Sequence, residues 1–292
     1  MQVKDEITKW ATWLVQDLEL GGIRFDAVKH FSETFLSELC THLVENVNPN
    51  LFFVGEYWKD DLPTTLGYLS RMHEHFSLFD CPLVYNFSEA STTESADLRK
   101  IFDNSLTSAE PYNAVTLVQN HDTQPGQALY IHIEEFFRPL AYALILLRLE
   151  GYPTIFYGDL YGLSGPKGSE RGPSLNGQLG DFCLARKLYA YGEEDAYFDF
   201  PTCLGWVRRG TWDKKDGCAV VISNAGPGEK KMYVGTEHKG ETWTDVLGWS
   251  DKKVVIEEDG FGEFVCGQTS VSVFVNADAP GRELFGKSYD YP

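Results

Sequence analysis

The feature that most constrains the fold is a change of pattern near Gly192. Before it, continuous apolar runs alternate with segments of helical periodicity; the runs are GGIRFDAV, LFFVGEY, FSLFDCPLV, AVTLVQNHD and PTIFYGDLYG. Buried strands that alternate with helices are typical of a parallel sheet covered by helices on both faces. After Gly192 the runs are short and alternating, and Gly, Asn, Asp and Pro separate them, which predicts an antiparallel sandwich.

The same patterns predict individual elements. Helices are expected over residues 5–20 and near 32–47, 61–72, 94–104, 134–149 and 175–191. Sandwich strands are expected at CLGWVRR, GCAVVIS, KKMYV, KVVIE and SVSVFV. The predicted domains are residues 1–194, with the parallel strands, and 195–278, with the sandwich. Residues 279–292 have no periodicity and are expected to form a mobile tail.

Charge and hydropathy limit the partners. Asp and Glu number 43 against 25 Lys and Arg, a formal net charge of -18, so a nucleic-acid backbone or an anionic membrane surface would be repelled. The longest apolar run, LAYALILLRL, is interrupted by Arg148 and is shorter than the roughly 20 residues of a membrane span. We therefore predict a neutral ligand and no nucleic-acid or membrane partner.

The cysteines and the amino-terminal residues bear on the compartment. The six cysteines are scattered without a CxxC pair, which favours free buried thiols over a disulfide framework. The first ten residues, MQVKDEITKW, are charged and lack the hydrophobic region of a signal peptide. Both observations favour a cytoplasmic protein.

Three predicted strands end in a carboxylate: Asp26 in GIRFDAVKH, Glu56 in FFVGEYW and Asp122 in TLVQNHD. A single acid at a strand end is most often a helix cap or a turn former. Three of them, each with a polar or aromatic neighbour, are harder to explain in that way. Because the carboxyl ends of strands in parallel barrels form active sites, we predict one cavity lined by the three acids.

Cleavage at an acetal carbon needs two carboxyl groups with different pKa values. One carboxylate attacks or shields the oxocarbenium centre, and one carboxylic acid protonates the leaving oxygen. Arg24 lies two residues before Asp26 on the same strand face and would keep Asp26 ionised. The rings of Tyr57 and Trp58 would exclude water from Glu56 and raise its pKa. Aromatic residues at strand ends are more often packing residues, but Trp58 adjoins an acid and is a candidate for stacking on a sugar ring.

These motifs, in this order and with spacings of 30 (26 to 56) and 66 (56 to 122) residues, resemble those of the alpha-amylase family, glycoside hydrolase family 13, in its liquefying-type branch. GIRFDAVKH resembles the strand-four motif, FVGEYW the strand-five motif, VQNHDTQPGQ the strand-seven motif and GYPTIFYGDLYG the strand-eight region. The resemblance implies an α/β fold: a partial (β/α)8 TIM barrel, strands four to eight, followed by a C-terminal antiparallel β-sandwich.

The resemblance also implies roles for individual residues. Asp26 would be the nucleophile, Glu56 the general acid and base, and Asp122 the transition-state stabiliser. Substrate contacts are implied for five residues: Arg24, Lys29, His30, Trp58 and His121. A structural calcium ion is implied for the complete enzyme, and of its ligands only the backbone carbonyl of His30 has a counterpart in this chain.

The implied activity is retaining, endo-acting hydrolysis of alpha-1,4-glucans such as starch, glycogen or maltodextrin. Two alternatives stay open. A transglycosylase would differ only in whether a sugar hydroxyl or water resolves the intermediate. A non-catalytic glucan-binding or interaction protein would retain the acids without turnover.

Barrel strands one to three and the inserted domain of the family have no counterpart before residue 21. About 190 residues precede the sandwich, whereas a closed barrel takes about 250. The sequence is therefore expected to be a truncated form, or a short protein that completes its sheet by pairing with another copy or chain. By itself, such a chain is expected to self-associate through the open sheet edge and to show little amylase activity.

Overall fold

The computed structural model describes residues 2–74, 76–164 and 170–287. The chain divides into two compact units. The first comprises residues 1–83 and 103–116, and the second comprises residues 84–102 and 117–292.

The first unit is built from parallel strands and the helices that connect them. Its strands are β1 (Gly22–Phe25), β2 (Phe52–Gly55), β3 (Phe76–Phe79) and β4 (Ala114–Thr116). Its helices are α1 (Gln2–Asp17), α2 (Glu33–Asn46), α3 (Leu62–Leu69), the start of α4 (Cys81–Thr92), and α5 (Leu106–Ala109). The strands lie in the order β1-β2-β3-β4, and all three pairings are parallel. This order matches the order along the chain, as expected for consecutive β/α units.

The sheet of the first unit is covered by amphipathic helices. Phe53 and Phe76, on neighbouring strands, are fully buried and belong to one core with the inner faces of α1 and α2. Helix α2 contributes Leu36, Leu39 and Leu43, which are spaced three and four residues apart and so lie on one helical face. Burial of this face, rather than helix propensity, positions the loops that follow β1 and β2.

The second unit contains the fifth strand of the β/α series and the sandwich. It holds β5 (Tyr152–Pro153), α6 (Arg138–Leu146), α7 (Tyr157–Tyr161) and α8 (Leu179–Tyr189). The sandwich strands are β6 (Glu194–Phe200), β7 (Cys203–Arg208), β8 (Cys218–Ser223), β9 (Gly228–Tyr233), β10 (Thr242–Asp245), β11 (Lys253–Val255), β12 (Phe261–Cys266) and β13 (Ser270–Asn276). They form a six-stranded sheet, β11-β10-β13-β8-β7-β6, and a two-stranded sheet, β12-β9. Side chains of both sheets, including Met232, Trp243, Phe264 and Phe274, share one core.

Helix α6 is buried on all sides, which explains why its sequence is apolar around the whole helix. It packs against α8 and against the sandwich strands β8 and β13. Just after α6, the carbonyl oxygen of Leu147 accepts a hydrogen bond from Trp206 Nε1 at 3.2 Å. The helix before β5 is thereby fixed to the sandwich within the second unit.

The predicted fold class is confirmed, since parallel β/α units precede an antiparallel sandwich. The helix predicted near 94–104 is wrong: that stretch holds only a 3₁₀ turn, Leu98–Lys100, and α4 begins directly after β3. Asp80 explains the early start, because its Oδ1 accepts the Leu83 backbone N–H at 3.1 Å and Pro82 occupies the first turn.

The sequence patterns did not indicate three sandwich strands, β6, β10 and β12. The first carries acids and is half-exposed, as edge strands often are, and the second has four residues. Of the segment expected to be a mobile tail, residues 279–287 are described and packed: Tyr189 Oη donates to the Pro280 carbonyl at 2.8 Å, and its ring stacks on Phe285. Residues 288–292 lie outside the described ranges. The domain boundary at 194/195 stays a prediction.

Candidate active site

Asp26 and Glu56 leave neighbouring parallel strands at the same level. Phe25, the last residue of β1, pairs with Gly55, the last residue of β2. The two carboxylates come one residue later on each strand. Parallel register therefore brings both acids to the same edge of the sheet.

The guanidinium group of Arg24 joins the two acids. Its Nη1 lies 3.1 Å from Asp26 Oδ1, and its Nη2 lies 3.0 Å from Glu56 Oε2. The Asp26 side chain is 71% exposed, whereas that of Glu56 is 7% exposed. One planar cation thus orients an accessible carboxylate and a buried carboxyl group at once.

The environment of Glu56 favours its protonated form. Burial raises the pKa of Glu56, and the adjacent Asp26 carboxyl raises this pKa further. The backbone N–H of Ala27 and the charge of Arg24 act in the opposite direction on the same pKa. Because burial is the largest effect, Glu56 holds its proton to a higher pH than an exposed glutamate, as a general acid requires.

The turn after Asp26 is strained. Ala27 has φ 46° and ψ 43°, the left-handed region that residues with a Cβ seldom occupy. In this conformation the Ala27 N–H lies 3.3 Å from Glu56 Oε2, and the next N–H, of Val28, donates to the Glu56 carbonyl at 3.0 Å. Backbone strain of this kind is typical of functional sites, and here it holds the Asp26 turn against Glu56.

The predicted substrate-binding residues of the first unit differ in their hydrogen bonds and in their exposure. Lys29 Nζ donates to the carbonyl oxygen of Trp58 at 3.2 Å, which ties the loop after β1 to the loop after β2. His30 is exposed at the end of the 3₁₀ turn Val28–His30. The Trp58 residue is 8% exposed, so its ring does not present an open face, and its Nε1 has no hydrogen-bond partner among the described residues.

His121 and Asp122 belong to the second unit. The Nε2 of His121 lies 3.2 Å from Asp122 Oδ2. Asn120 shapes this loop, because its Oδ1 accepts the backbone N–H groups of Asp122 at 3.0 Å and Thr123 at 2.9 Å. The two predicted functional residues are therefore neighbours on an ordered turn. That they join Asp26 and Glu56 in one cleft stays a prediction.

A buried polar network that the sequence analysis did not single out supports this turn. Asp159 is fully buried and accepts hydrogen bonds from Arg138 at 3.2 Å and Ser174 at 2.9 Å, and also from Tyr142 and Arg171. Two guanidinium groups on one buried carboxylate satisfy the rule that buried charges are paired. The signal in the sequence was ionisable residues inside otherwise apolar runs, in FFRPLAYALIL and in FYGDLYG.

This network reaches the turn through Gln119. Its Oε1 lies 3.3 Å from Arg138 Nη1 and 3.3 Å from Arg171 Nη2. Its Nε2 donates to the Thr123 carbonyl at 3.2 Å. The buried ion pairs are thereby connected to the backbone that carries Asp122.

The described residues do not make up a calcium site by themselves. Within the described ranges, no three His, Cys, Asp or Glu side chains are grouped so that they could hold a metal ion. Calcium takes about six to eight oxygen ligands, and that the carbonyl of His30 is one of them stays a prediction.

The parallel β/α units with acids at their strand ends, followed by an antiparallel sandwich, place the chain in the class of (β/α)-barrel proteins with a C-terminal β-sandwich. Residues 218–275 match the model of the alpha-amylase C-terminal domain. The chain is 43% identical to an alpha-amylase of Bacillus licheniformis and 41% identical to a cytoplasmic alpha-amylase of Escherichia coli K12, in each case over 94% of its own length. The chain belongs to the alpha-amylase family.

These matches cover nearly all of this chain but only part of each relative. The chain spans about half the length of the curated relatives it matches, 54% of the Bacillus protein and 56% of the Escherichia protein. Among solved structures, an Anoxybacillus alpha-amylase superposes with a TM-score of 0.71 at 20% identity, over 96% of this chain and 64% of that protein.

None of the described helices is both long and apolar enough to cross a membrane.

Proposed function

We propose that the chain carries the nucleophile and the general acid of a retaining alpha-1,4-glucan hydrolase that acts endo-fashion on starch, glycogen or maltodextrin. The observation that carries the proposal is the Arg24 guanidinium in contact with both Asp26 and Glu56. It pairs an accessible carboxylate with a buried carboxyl whose pKa is raised by burial. Double-displacement glycosidases need two carboxyl groups in these two states.

In the proposed reaction, Asp26 attacks the anomeric carbon while Glu56 gives its proton to the departing glycosidic oxygen. Glu56, then ionised, takes a proton from the water that hydrolyses the glycosyl-enzyme. Arg24 orients the Asp26 carboxylate through its contact of 3.1 Å with Asp26 Oδ1. Asp122 would stabilise the oxocarbenium-like transition state, with His121 beside it. If a sugar hydroxyl replaced the water, the same residues would catalyse transglycosylation, which stays open.

Retention gives a direct test. The chain is incubated at high concentration with maltoheptaose, and the anomeric proton signals of early products are followed by NMR. We expect the alpha anomer first and the beta anomer only after mutarotation. Asp26→Asn should abolish the reaction, whereas Asp17→Asn, at the end of α1, should leave it unchanged. Initial beta product, or equal turnover by Asp26→Asn, would contradict the proposal, and glucan binding without turnover would favour the non-catalytic alternative.

We further propose that the chain self-associates along the β1 edge of its sheet. Among the described strands, β1 pairs with β2 alone. On the preceding helix, α1, four large apolar side chains are between 38% and 72% exposed: Val3, Ile7, Trp10 and Trp13. Leu18, the residue after the helix, is 58% exposed. A strand edge next to an apolar helix face favours pairing with a second copy.

A cytoplasmic location is also proposed. All six cysteines are free, and five of them are buried, as is usual in a reducing compartment. The name of the Escherichia relative states the same location for that protein.

A further inference from the structure

The turn between β7 and β8 presents an unusually exposed aromatic residue on the sandwich. Trp212 is 88% exposed, although an indole is among the most costly side chains to leave in water. Single exposed apolar residues are common on protein surfaces and need no function. What distinguishes Trp212 is that its turn is held firmly and that a polar groove lies beside it.

Hydrogen bonds close the turn that carries Trp212. The Thr211 N–H donates to the Lys214 carbonyl at 2.7 Å, and the Lys214 N–H donates to Thr211 Oγ1 at 3.2 Å. The ammonium of Lys214 sits 3.6 Å from the centre of the Tyr191 ring, which anchors the turn to the loop before β6. The backbone that carries the indole is therefore held in place, so that little conformational entropy of the turn is lost when a ligand stacks on the ring.

A groove of about 640 Å³ lies next to the indole. It is lined mainly by polar side chains, among them Glu193, Arg209, Asp216 and Glu237. Three of these, Glu193, Asp216 and Glu237, have no side-chain hydrogen bond or ion pair within the part of the chain that the structure describes. Their carboxylate oxygens are free to accept hydrogen bonds from a ligand.

The Glu237 carboxylate lies over Gly235, in the lining of the groove. A methyl group on Gly235 would lie 2.5 Å from the carboxyl carbon of Glu237. This carboxylate is the end of a flexible side chain without a partner among the described residues, so it can turn toward a ligand. Gly235 itself has φ 120°, a conformation that other residues avoid.

The charges of the groove indicate what it can bind. Arg209 is paired with Asp195, and His238 lies 2.9 Å from Glu241, so the unpaired acids outnumber the remaining base, Lys215. An excess of acid disfavours phosphates and other anions. A neutral polyhydroxylated ligand meets no such penalty, because its hydroxyls donate to carboxylates and the apolar C–H face of a sugar ring stacks on an indole.

We propose that Trp212 and this groove form a second glucan-binding site, on the sandwich and separate from Asp26 and Glu56. The choice of an alpha-glucan as ligand rests on the proposed function. The site would hold a polymeric substrate to the protein without taking part in bond cleavage. Trp212 would supply the stacking surface, and Glu237 and Asp216 would accept hydrogen bonds from sugar hydroxyls.

The test compares variants of the full chain by affinity electrophoresis in gels with and without amylopectin. Trp212→Ala should lose most of the retardation, a change of fivefold or more in apparent Kd, and Trp212→Tyr should retain part of it. Tyr112, which is 96% exposed in the first unit, provides the matched control, and Tyr112→Ala should migrate like the parent. Equal retardation of Trp212→Ala and the parent would overturn the proposal.

A local measurement separates this site from the proposed active site. Hydroxyl-radical footprinting should show that maltoheptaose, but not cellohexaose, protects the peptide containing Trp212. Glu56→Gln should leave both this protection and the gel retardation intact, so the second site can stand even if hydrolysis fails. Protection by both sugars, or absence of protection, would count against an alpha-glucan and leave the indole as a contact for another protein.

Discussion

Arg24 Nη2 lies 3.0 Å from Glu56 Oε2, and the same guanidinium reaches Asp26 through its other terminal nitrogen. A cation this close lowers the pKa of Glu56, although burial outweighs its effect. The pKa of Glu56 therefore depends on two opposing effects: burial raises it, and the positive charge of Arg24 lowers it. A mutation that removes one of these effects should shift the pH range in which Glu56 can act as the general acid.

Arg24→Gln should shift the alkaline limb of the pH–rate profile to higher pH. The sign follows from the charge: Arg24 lowers the pKa of Glu56, so its removal raises that pKa and keeps the general acid protonated at higher pH. The maximal rate should fall at the same time because Asp26 loses its orienting partner. The measurement is kcat/KM against pH on an aryl maltotrioside. Arg71→Gln, which removes an arginine paired with Glu33, should not move the limb, and a downward shift in Arg24→Gln would refute the argument.

Leaving-group ability should distinguish the two acids. An aryl maltotrioside with a low-pKa phenol needs little protonation, so Glu56→Gln should regain much of its rate on this substrate relative to maltoheptaose. Asp26→Asn should stay several orders of magnitude slower than the parent on both substrates, because no nucleophile remains. Comparison of initial rates on the two substrates checks this. Equal losses for both variants on both substrates would mean that the roles are wrongly divided.

Asp159→Asn should destabilise the second unit by about 3–5 kcal/mol, since it removes the buried carboxylate that pairs with Arg138, which is buried, and with Arg171, which is partly exposed. Urea denaturation followed by tryptophan fluorescence measures the change. Glu135 is the matched control: it also pairs with Arg138, but its side chain is 64% exposed, so Glu135→Gln should cost less than about 1 kcal/mol. Similar losses of unfolding free energy in the two variants would show that burial does not determine how much this network contributes to stability.

Gly228→Ala should lower stability by about 1–3 kcal/mol through overpacking. A methyl group there would lie 2.6 Å from Cys203 Sγ and 3.0 Å from Cys266 Sγ, inside the sandwich core. Gly226→Ala is the control, because no atom lies within 4 Å of its added methyl, and it should stay within about 0.5 kcal/mol of the parent. Thermal unfolding of both variants decides the matter, and a neutral Gly228→Ala would mean that the two thiols move aside at no cost.

Trp10→Glu should reduce self-association. Trp10 is 56% exposed on α1, and a charge at this position would disfavour burial of the apolar face against another copy. Sedimentation velocity over a range of concentrations should show a shift toward monomer. Trp212→Glu places a charge at an equally prominent tryptophan on the sandwich and should leave the distribution unchanged. A parent chain that is already monomeric at all concentrations would refute the proposed association.

The order of strands and the position of the proposed acids were accessible from the sequence because both depend on local patterns. A buried strand that ends in a carboxylate is visible in GIRFDAVKH, and parallel register then places Asp26 beside Glu56. The start of α4 was not accessible, because it depends on Asp80, whose carboxylate also binds the distant backbone N–H of Leu106 at 3.0 Å.

Other features could not be predicted from the sequence because they depend on contacts between residues that are distant along the chain. The burial of Trp58 and the left-handed Ala27 follow from how two loops meet, which no spacing encodes. The Asp159 network joins residues 119 to 174, and its members look like isolated exceptions in apolar runs until the chain is folded. Periodicity reports which face of an element is buried, but it does not report the partner.

The division of the chain also constrains how the protein can be made. The first unit is interrupted by residues 84–102 and is complete only when residue 116 has been added. During synthesis, β1 to β3 must therefore wait for β4, while part of the second unit has already left the ribosome and its sandwich does not yet exist. Leu106 and Ala114 belong to the same core as Phe53 and Phe76, so this core is incomplete until they have been added, and slow translation between residues 84 and 116 would prolong the life of the incompletely packed intermediate.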